Sequence, residues 1–347
     1  MARRAARRFE PGPSLFQDDS AERGAPPARV LAGLDEAGYG PLLGPLTIGA
    51  VALRTPHPVP DPWDALSALV GRASERDPAR LAVGDSKAVF DRTDSGRARL
   101  ERTVLAFQGV LHGLPPDGRA FLETTPPPLG CSALAHEFWL GDLPARLGRH
   151  EPGALERAAS ELADLLVSQH LELCLFAVRV VPAGALNASF ARTHSKALTH
   201  WEQCAPFLSR LWREHAPEGV DLVVDRHGGR VRYGELLTQT FPGARVTTRS
   251  ETPARSEYTL ADGAGRRLRV AFAEKADAGS FPVALASCAA KYARELAMEG
   301  FNAHFASYQR GLAPTAGYVT DARRWLVDAL PALAAAGVDP LDLVRTR

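Results

Sequence analysis

The sequence contains few cysteines, and their spacing argues against the common cysteine-based frameworks. Only four of the 347 residues are cysteines, and none of them stands in a C-x-x-C arrangement. This spacing argues against both a zinc site and a set of disulfides, and it predicts a reducing, cytoplasmic location. The four residues are Cys131, Cys174, Cys204 and Cys288.

Long hydrophobic runs are also lacking. No apolar stretch approaches the roughly 20 residues that a membrane-spanning helix requires. The arginine pairs Arg3-Arg4 and Arg7-Arg8 precede Glu10-Pro11 rather than an apolar segment, so no secretory signal is predicted. We expect residues 1–28 to form a disordered, arginine-bearing tail.

The chain also lacks a large excess of positive or negative charge. The net charge is +1, with 45% hydrophobic and 23% charged residues, which is typical of a globular protein. A surface that binds nucleic acid would therefore depend on local clusters of Arg and Lys. One such cluster falls in a predicted hairpin, where it either holds a duplex backbone or protects an exposed sheet edge. Its members are Arg245, Arg249, Arg255, Arg266, Arg267 and Arg269.

Four acidic residues at the ends of predicted elements are the most informative feature of the chain. Asp35 and Glu36 end an apolar run, Asp225 ends a second one, and Asp277 precedes an Ala-rich helix that begins near Pro282. Adjacent side chains of a regular strand point to opposite faces, so Asp35 and Glu36 are expected to share a site only if the strand stops there. Converging carboxylates offer the oxygen ligands that hard divalent cations prefer. The pattern predicts a metal-dependent nuclease in which two ions act on a phosphodiester.

Several sequence blocks stand in a fixed order along the chain. Residues 33–45 read GLDEAGYGPLLGP, and this segment resembles the opening signature of the type 2 ribonucleases H, the ribonuclease HII and HIII family. Asp85-Ser86-Lys87 resembles the Asp-Ser-Lys motif of that family. Residues 286–295 resemble its Ala-Ser-x-x-Ala-Lys-x-x-Arg-Asp helix, and residues 317–320 resemble its Gly-Tyr-x-Thr segment. The blocks follow one another in the family's order.

The sequence also departs from the family pattern at three motifs. The usual Gly-Arg-Gly is Gly38-Tyr39-Gly40 here, the Lys-Gly-Asp is Lys275-Ala276-Asp277, and the Asp-Gly at the third carboxylate is Asp225-Arg226. Residues 113–152 and the interval between Asp225 and Asp277 are longer than in typical members. These differences bear more on substrate choice than on metal chemistry.

The resemblance implies an α/β fold: a mixed five-stranded ribonuclease H-like sheet with helices on both faces. We expect the catalytic domain to span residues 29–330, with a Pro-rich helical insertion at about 113–152 and an inserted β-hairpin at about 244–273. A C-terminal helical extension is expected over residues 331–347. Thr93 is predicted to be among the N-terminal capping residues of one long helix.

The resemblance also assigns roles to single residues. Asp35, Glu36, Asp225 and Asp277 would be the catalytic residues and the ligands of two Mg²⁺ or Mn²⁺ ions, with Asp35 bridging them. The loop Gly38-Tyr39-Gly40 would approach the ribose at an RNA–DNA junction, where Tyr39 either stacks on the nucleotide or is only structural. Tyr318 would pack beside that ribose, whose 2′-hydroxyl distinguishes RNA from DNA. The candidate phosphate contacts are Lys87, Lys291 and Arg294.

Three functions remain open from the sequence. The first is a monomeric endonuclease that hydrolyses the RNA strand of RNA–DNA hybrids, or ribonucleotides embedded in duplex DNA, leaving 3′-hydroxyl and 5′-phosphate ends. The second is a structure-selective DNA nuclease, favoured by the Arg-to-Tyr change at Tyr39 and the added hairpin. The third is a non-catalytic relative that binds nucleic acid, which the presence of all four carboxylates disfavours.

Overall fold

The computed structural model describes residues 29–346 apart from positions 76, 92, 149 and 152. The predicted tail, residues 1–28, lies outside the described residues. The strands are β1 (Val30–Ala37), β2 (Leu46–Arg54), β3 (Val70–Arg72), β4 (Leu81–Val83), β5 (Glu172–Val181), β6 (Val220–Asp225), β7 (Arg245–Glu251), β8 (Arg255–Ala261) and β9 (Arg267–Ala273).

Helices connect and cover these strands. Their bounds are α1 (Pro62–Ala65), α2 (Ser86–Val89), α3 (Asp94–His112), α4 (Gly118–Glu123), α5 (Ala154–Ser168), α6 (Ala183–Thr193), α7 (Lys196–Glu214), α8 (Gly234–Thr240), α9 (Phe281–Tyr308), α10 (Val319–Asp328), α11 (Leu330–Ala336) and α12 (Pro340–Leu343). Short 3₁₀ turns occupy Ala73–Glu75, Ser132–His136, Phe138–Asp142, Ala216–Glu218 and Ala276–Ala278. The predicted cap of α3 is confirmed, because Thr93 Oγ1 accepts a hydrogen bond from Gly96 N at 3.1 Å.

A mixed α/β architecture is confirmed, but the main sheet has seven strands where five were expected. Their order is β5-β2-β1-β6-β9-β8-β7, and β3 and β4 form a separate parallel pair. β1 pairs antiparallel with β2 and parallel with β6, and β6 pairs parallel with β9. Strands β1 and β6 therefore run side by side at the centre, and their carboxyl ends meet at one edge.

The predicted hairpin exists, but it belongs to the main sheet rather than standing beside it. β8 and β9 pair antiparallel around the turn at residues 262–266, and β9 continues the sheet through its parallel ladder with β6. The alternating apolar side chains of both strands enter the core, which is why the hairpin is a structural extension of the sheet. Several of its arginines are held in ion pairs: Arg255 with Glu257, Arg266 with Asp262, and Arg269 with Asp221.

Hydrophobic clusters cover both faces of the sheet. One contains Val30, Ala32 and Leu34 of β1 together with the buried side of α7. The other contains the buried side of α9 together with α3 and α5. Because side chains alternate along a strand, β1 packs against α7 on one face of the sheet and against α9 on the other. On the α9 side the approach is so close that a Cβ at Gly33 would lie 2.2 Å from Val283 N.

The segment predicted as an insertion, residues 113–152, packs onto α9. Trp139 and Leu140 are buried in the same cluster as α9, and the Phe138 ring lies 5.5 Å from that of Phe305. Several of its apolar residues are therefore part of the core. The proposed domain boundaries stay predictions. No helix among the described residues is both long enough and apolar enough to cross a membrane.

Candidate metal and nucleic-acid site

Three of the four predicted carboxylates meet at the carboxyl edge of β1 and β6. Oxygen atoms of Asp35, Glu36 and Asp225 all lie within 4.8 Å of one another. The register explains this: the parallel ladder pairs Leu34 with Val224, so the next residue on each strand is an aspartate. The central sheet thus aligns two carboxylates that are far apart in sequence.

The expectation that β1 must stop at Asp35 is wrong. β1 stays paired with β2 through Ala37, while its ladder with β6 ends at Leu34. The side of the strand that faces β6 is therefore open just where the two acidic residues stand. Asp35 and Glu36 bring their oxygens together around this open side, although they project from opposite faces of the strand.

Asp277 lies outside the 4.8 Å group but near it. It stands in the 3₁₀ turn Ala276–Ala278 that follows β9, and the N–H of Ala276 donates to Asp225 Oδ1 at 3.4 Å. Its charge contributes to raising the pKa values of both Asp35 and Asp225. The fourth predicted carboxylate is therefore part of the same electrostatic site, at its rim.

Burial concentrates this negative charge. Desolvation, followed by the charge of Asp225, raises the pKa of Asp35 well above its ordinary value. Desolvation and then Asp35 raise the pKa of Glu36 in the same way. Desolvation raises the pKa of Asp225 to about 6. Since like charges in a poorly solvated site oppose ionisation, a bound cation would be the natural counter-charge.

Two buried arginines fix the loop after β1 by hydrogen bonds to backbone carbonyls. Gly38 has φ +87°, a conformation that glycine tolerates without strain. Arg294 donates to Pro45 O at 2.8 Å and to Ala316 O at 2.9 Å. Arg345 donates to Gly44 O at 2.7 Å and also to Gly38 O. The C-terminal segment therefore helps to fix the predicted ribose-approach loop.

Arg294 corrects a sequence expectation. Only 3% of the residue is exposed, and its donors are directed at backbone carbonyls. A guanidinium in this setting positions the loop and does not contact a phosphate. Its predicted partner in that role, Lys291, is half-buried, forms an ion pair with Glu295 and lies 4.6 Å from the centre of the Phe90 ring.

The remaining predicted residues lie around the carboxylates. Lys87 is exposed on α2. Desolvation raises the pKa values of Glu36 and Asp277, and the positive charge of Lys87 partly opposes that rise. Tyr318 is 49% exposed at the start of α10. The carbonyl of its neighbour Gly317 accepts from Leu42 N at 2.7 Å. This bond places Tyr318 next to the loop, with Gly40 exposed on the same loop.

Tyr39 points towards a part of the site that the sequence did not indicate. Its ring centre lies 5.2 Å from that of His200, and Lys196 Nζ lies 4.2 Å from the Tyr39 centroid. Beyond His200, the buried side chains of Cys204 and His227 complete a second group of potential ligands. Linear spacing did not reveal this group, although His200 and Cys204 stand four residues apart on one face of α7.

Comparisons with known proteins found similar chains among solved structures only. No protein-family model matches the sequence, and no curated protein matches it. Ribonuclease HII from Archaeoglobus fulgidus, solved in complex with PCNA, is 18% identical with a TM-score of 0.39, over 92% of this chain and 94% of that one. Ribonuclease H2 from Pyrococcus horikoshii OT3 is 17% identical with a TM-score of 0.41, over 91% and 92%.

A third similar structure is Bst-RNase HIII in complex with Mn²⁺. It is 14% identical with a TM-score of 0.36, over 92% of this chain and 66% of that one. Because these identities and TM-scores are low, the geometry of the site has to support any conclusion about function.

Proposed function

We propose that this protein is a metal-dependent endonuclease that cleaves the RNA strand of RNA–DNA hybrids or ribonucleotides embedded in duplex DNA. One observation carries the proposal: the carboxylate oxygens of Asp35, Glu36 and Asp225 lie within 4.8 Å of one another at a sheet edge. The products would be 3′-hydroxyl and 5′-phosphate ends. A monomeric state and a cytoplasmic location stay predictions.

The residues present fit Mg²⁺ or Mn²⁺. All the converging donors are carboxylate oxygens, which hard divalent cations prefer. The raised pKa values of Asp35 and Glu36 indicate that their charges lack compensation from the protein alone. Asp35, Glu36, Asp225 and Asp277 would hold the ions, with Asp35 as the bridging residue. When bound, two such ions supply activation of water and stabilisation of charge on the phosphate.

The other residues would bind and orient the substrate. The exposed ammonium of Lys87 stands beside the carboxylates, where it would contact a phosphate. The Gly38–Gly40 backbone, fixed by Arg345, would approach the ribose, and the exposed ring of Tyr318 would pack beside it. A site of this form would prefer RNA at the scissile position because both contacts surround the 2′-hydroxyl.

Cleavage of matched duplexes tests this function. The duplexes contain zero, one or four consecutive ribonucleotides in one strand, and each is incubated with Mg²⁺ and with Mn²⁺. We expect cutting only where ribonucleotides are present and only with a divalent ion. Asp35→Asn should be inactive, while Asp164→Asn, which changes an exposed carboxylate on α5, should cut like the wild type.

Two other results would replace this proposal. Equal cleavage of all-DNA or branched DNA would identify a structure-selective DNA nuclease built on the same carboxylates. Duplex binding without cleavage in either ion would identify a binding protein. Both alternatives are therefore decided by the same set of substrates.

A further inference from the structure

A second cluster of side chains with metal-ligand chemistry lies behind Glu36. His200 and Cys204 are one helical turn apart on α7, and His227 stands two residues beyond the end of β6. One ligand atom from each lies within 4.8 Å of the other two. The three residues are buried, with 2%, 2% and 1% of their surfaces exposed. Helix and sheet thus bring two imidazoles and a thiol to one point.

The imidazole nitrogens in this cluster have no hydrogen-bond partner. Both ring nitrogens of His200 and both of His227 are buried without one. The rings lie 4.1 Å apart, between centroids, and aromatic side chains such as Trp201 and Phe272 surround His227. Buried polar atoms are nearly always satisfied in folded proteins. Four unsatisfied nitrogens beside a thiol therefore need an explanation.

We propose that His200, Cys204 and His227 form a binding site for a zinc ion. Zinc is borderline soft and binds histidine nitrogen and cysteine sulfur, usually in a tetrahedron. Its bonds of about 2.0–2.3 Å require ligand atoms about 3.4–3.7 Å apart. Because the ligand atoms here lie within 4.8 Å of one another, loading would shorten their separations by at most about 1 Å. Mg²⁺ and Mn²⁺ prefer oxygen ligands and would remain with the carboxylates.

The fourth position of the tetrahedron borders the nuclease site. Glu36 Oε2 lies 3.7 Å from His200 Nε2. Either this carboxylate or a water molecule completes the coordination. Loading would release the Cys204 thiol proton to solvent, while the histidines enter neutral because burial lowers the pKa of His200 to about 3. The zinc would stabilise the junction between α7 and β6.

Zinc content tests the site independently of cleavage. The full chain is stripped with a chelator, reloaded with one equivalent of Zn²⁺ per chain and passed through a desalting column, and its zinc is counted by mass spectrometry. We expect one zinc ion per chain in the wild type, retained in Asp225→Asn, which disrupts the carboxylate site, and in Cys174→Ala, which removes a cysteine on β5. Cys204→Ala and His227→Gln should lose it.

Cobalt substitution tests the ligands in the unaltered protein, so the result does not depend on whether a variant folds. Co²⁺ bound to wild type should give a thiolate-to-cobalt charge-transfer band and the visible absorption of a tetrahedral site. Both should persist when excess Mg²⁺ fills the carboxylates. Wild type that retains no zinc, or a cobalt complex without the thiolate band, would overturn the proposal and leave His200 as a neighbour of Glu36 only.

Discussion

At the scale of single residues, the site consists of acidic groups that the protein alone does not neutralise. Asp35 and Glu36 are held where water is largely excluded, and their pKa values rise chiefly for that reason. Lys87 is the exposed cation whose charge acts on Glu36. This arrangement is the one that the proposed cation site would require, and it destabilises the ion-free fold.

Asp35→Asn should abolish cleavage without lowering thermal stability. Asparagine keeps the shape of the side chain but removes the charge that would hold the ions. Stabilisation by bound ions is worth several kcal/mol, so we expect the cleavage rate to fall by about a thousandfold or more. Single-turnover kinetics and a melting curve measure the two effects. A rate close to the wild type would show that Asp35 is not a metal ligand, whereas a fall in Tm would show a structural role.

The stability of the ion-free protein should decrease as the pH rises from about 4 to about 6. The pKa of Asp225 is raised to about 6 in the folded protein, whereas an unfolded aspartate titrates near 3.9. In that interval the folded state holds more protons than the unfolded state, so raising the pH favours unfolding. Denaturant titrations with a chelator present should show this decrease.

The control for this pH dependence is Asp225→Asn. The variant lacks the titrating group, so its stability should vary less across the same interval. Saturating Mg²⁺ should reduce the dependence in the wild type, because a bound cation favours the ionised carboxylates. Parallel stability curves for wild type and variant in the ion-free state would contradict the assignment.

At the scale of elements, the loop between β1 and β2 is the point where distant parts of the chain meet. Arg294 of α9 and Arg345, which follows α12, both donate to carbonyls in this loop. The carbonyl of Gly317 accepts from the loop amides Leu42 N and Leu43 N at 2.7 and 3.1 Å. One long helix and the C-terminal segment therefore fix the backbone that is proposed to approach the ribose.

Arg294→Met should destabilise the fold by about 2–3 kcal/mol. The substitution keeps much of the apolar stem but leaves Pro45 O and Ala316 O without their donor in a buried place, and each buried unsatisfied group costs about 1–3 kcal/mol. The free energy of unfolding from denaturant titration measures the loss. Arg213→Met, on the exposed end of α7, is the control and should change stability little. An equal effect of both variants would refute the positioning role of Arg294.

At the scale of the whole molecule, the proposed substrate choice would depend on parts contributed by both ends of the described chain. The carboxylates belong to the central sheet, Lys87 to a short helix beyond β4, and Tyr318 to the start of α10. Tyr39 contacts His200 of α7 instead of standing free in solvent. Tyr318, which is 49% exposed, is therefore the aromatic residue that we propose to contact the nucleotide.

Tyr318→Ala should weaken cleavage at a lone ribonucleotide more than cleavage of a long RNA–DNA hybrid. A hybrid offers many registers, so the loss of one contact beside the ribose affects it less. Since an aromatic contact with a nucleotide is worth about 1–3 kcal/mol, we expect about a tenfold greater loss of kcat/KM on the lone ribonucleotide. Tyr308→Ala, another exposed tyrosine, serves as the control. Equal losses on both substrates would remove Tyr318 from recognition of the junction.

Much of the fold and of the carboxylate group follows from local sequence. The apolar runs that end at Asp35-Glu36 and at Asp225 predicted β1 and β6, and the capping residue Thr93 predicted the start of α3. The hairpin turn was predicted as well, but its place in the sheet was not. A strand's partner on its second edge depends on chain segments that are remote in sequence, which is why β9 was not recognised as a neighbour of β6.

The sequence by itself determined which residues carry oxygen donors and that they stand at the ends of apolar runs or just before a helix. Tertiary structure decided everything that depends on distance: the parallel register that aligns Asp35 with Asp225, the burial of Arg294, and the meeting of His200, Cys204 and His227. A residue's type and its neighbours in sequence fix its chemistry and local conformation. Only packing fixes how far a side chain is exposed to solvent and which groups it contacts. These two properties distinguish an exposed cation such as Lys87, which could contact a phosphate, from a buried one such as Arg294, which holds the backbone in place.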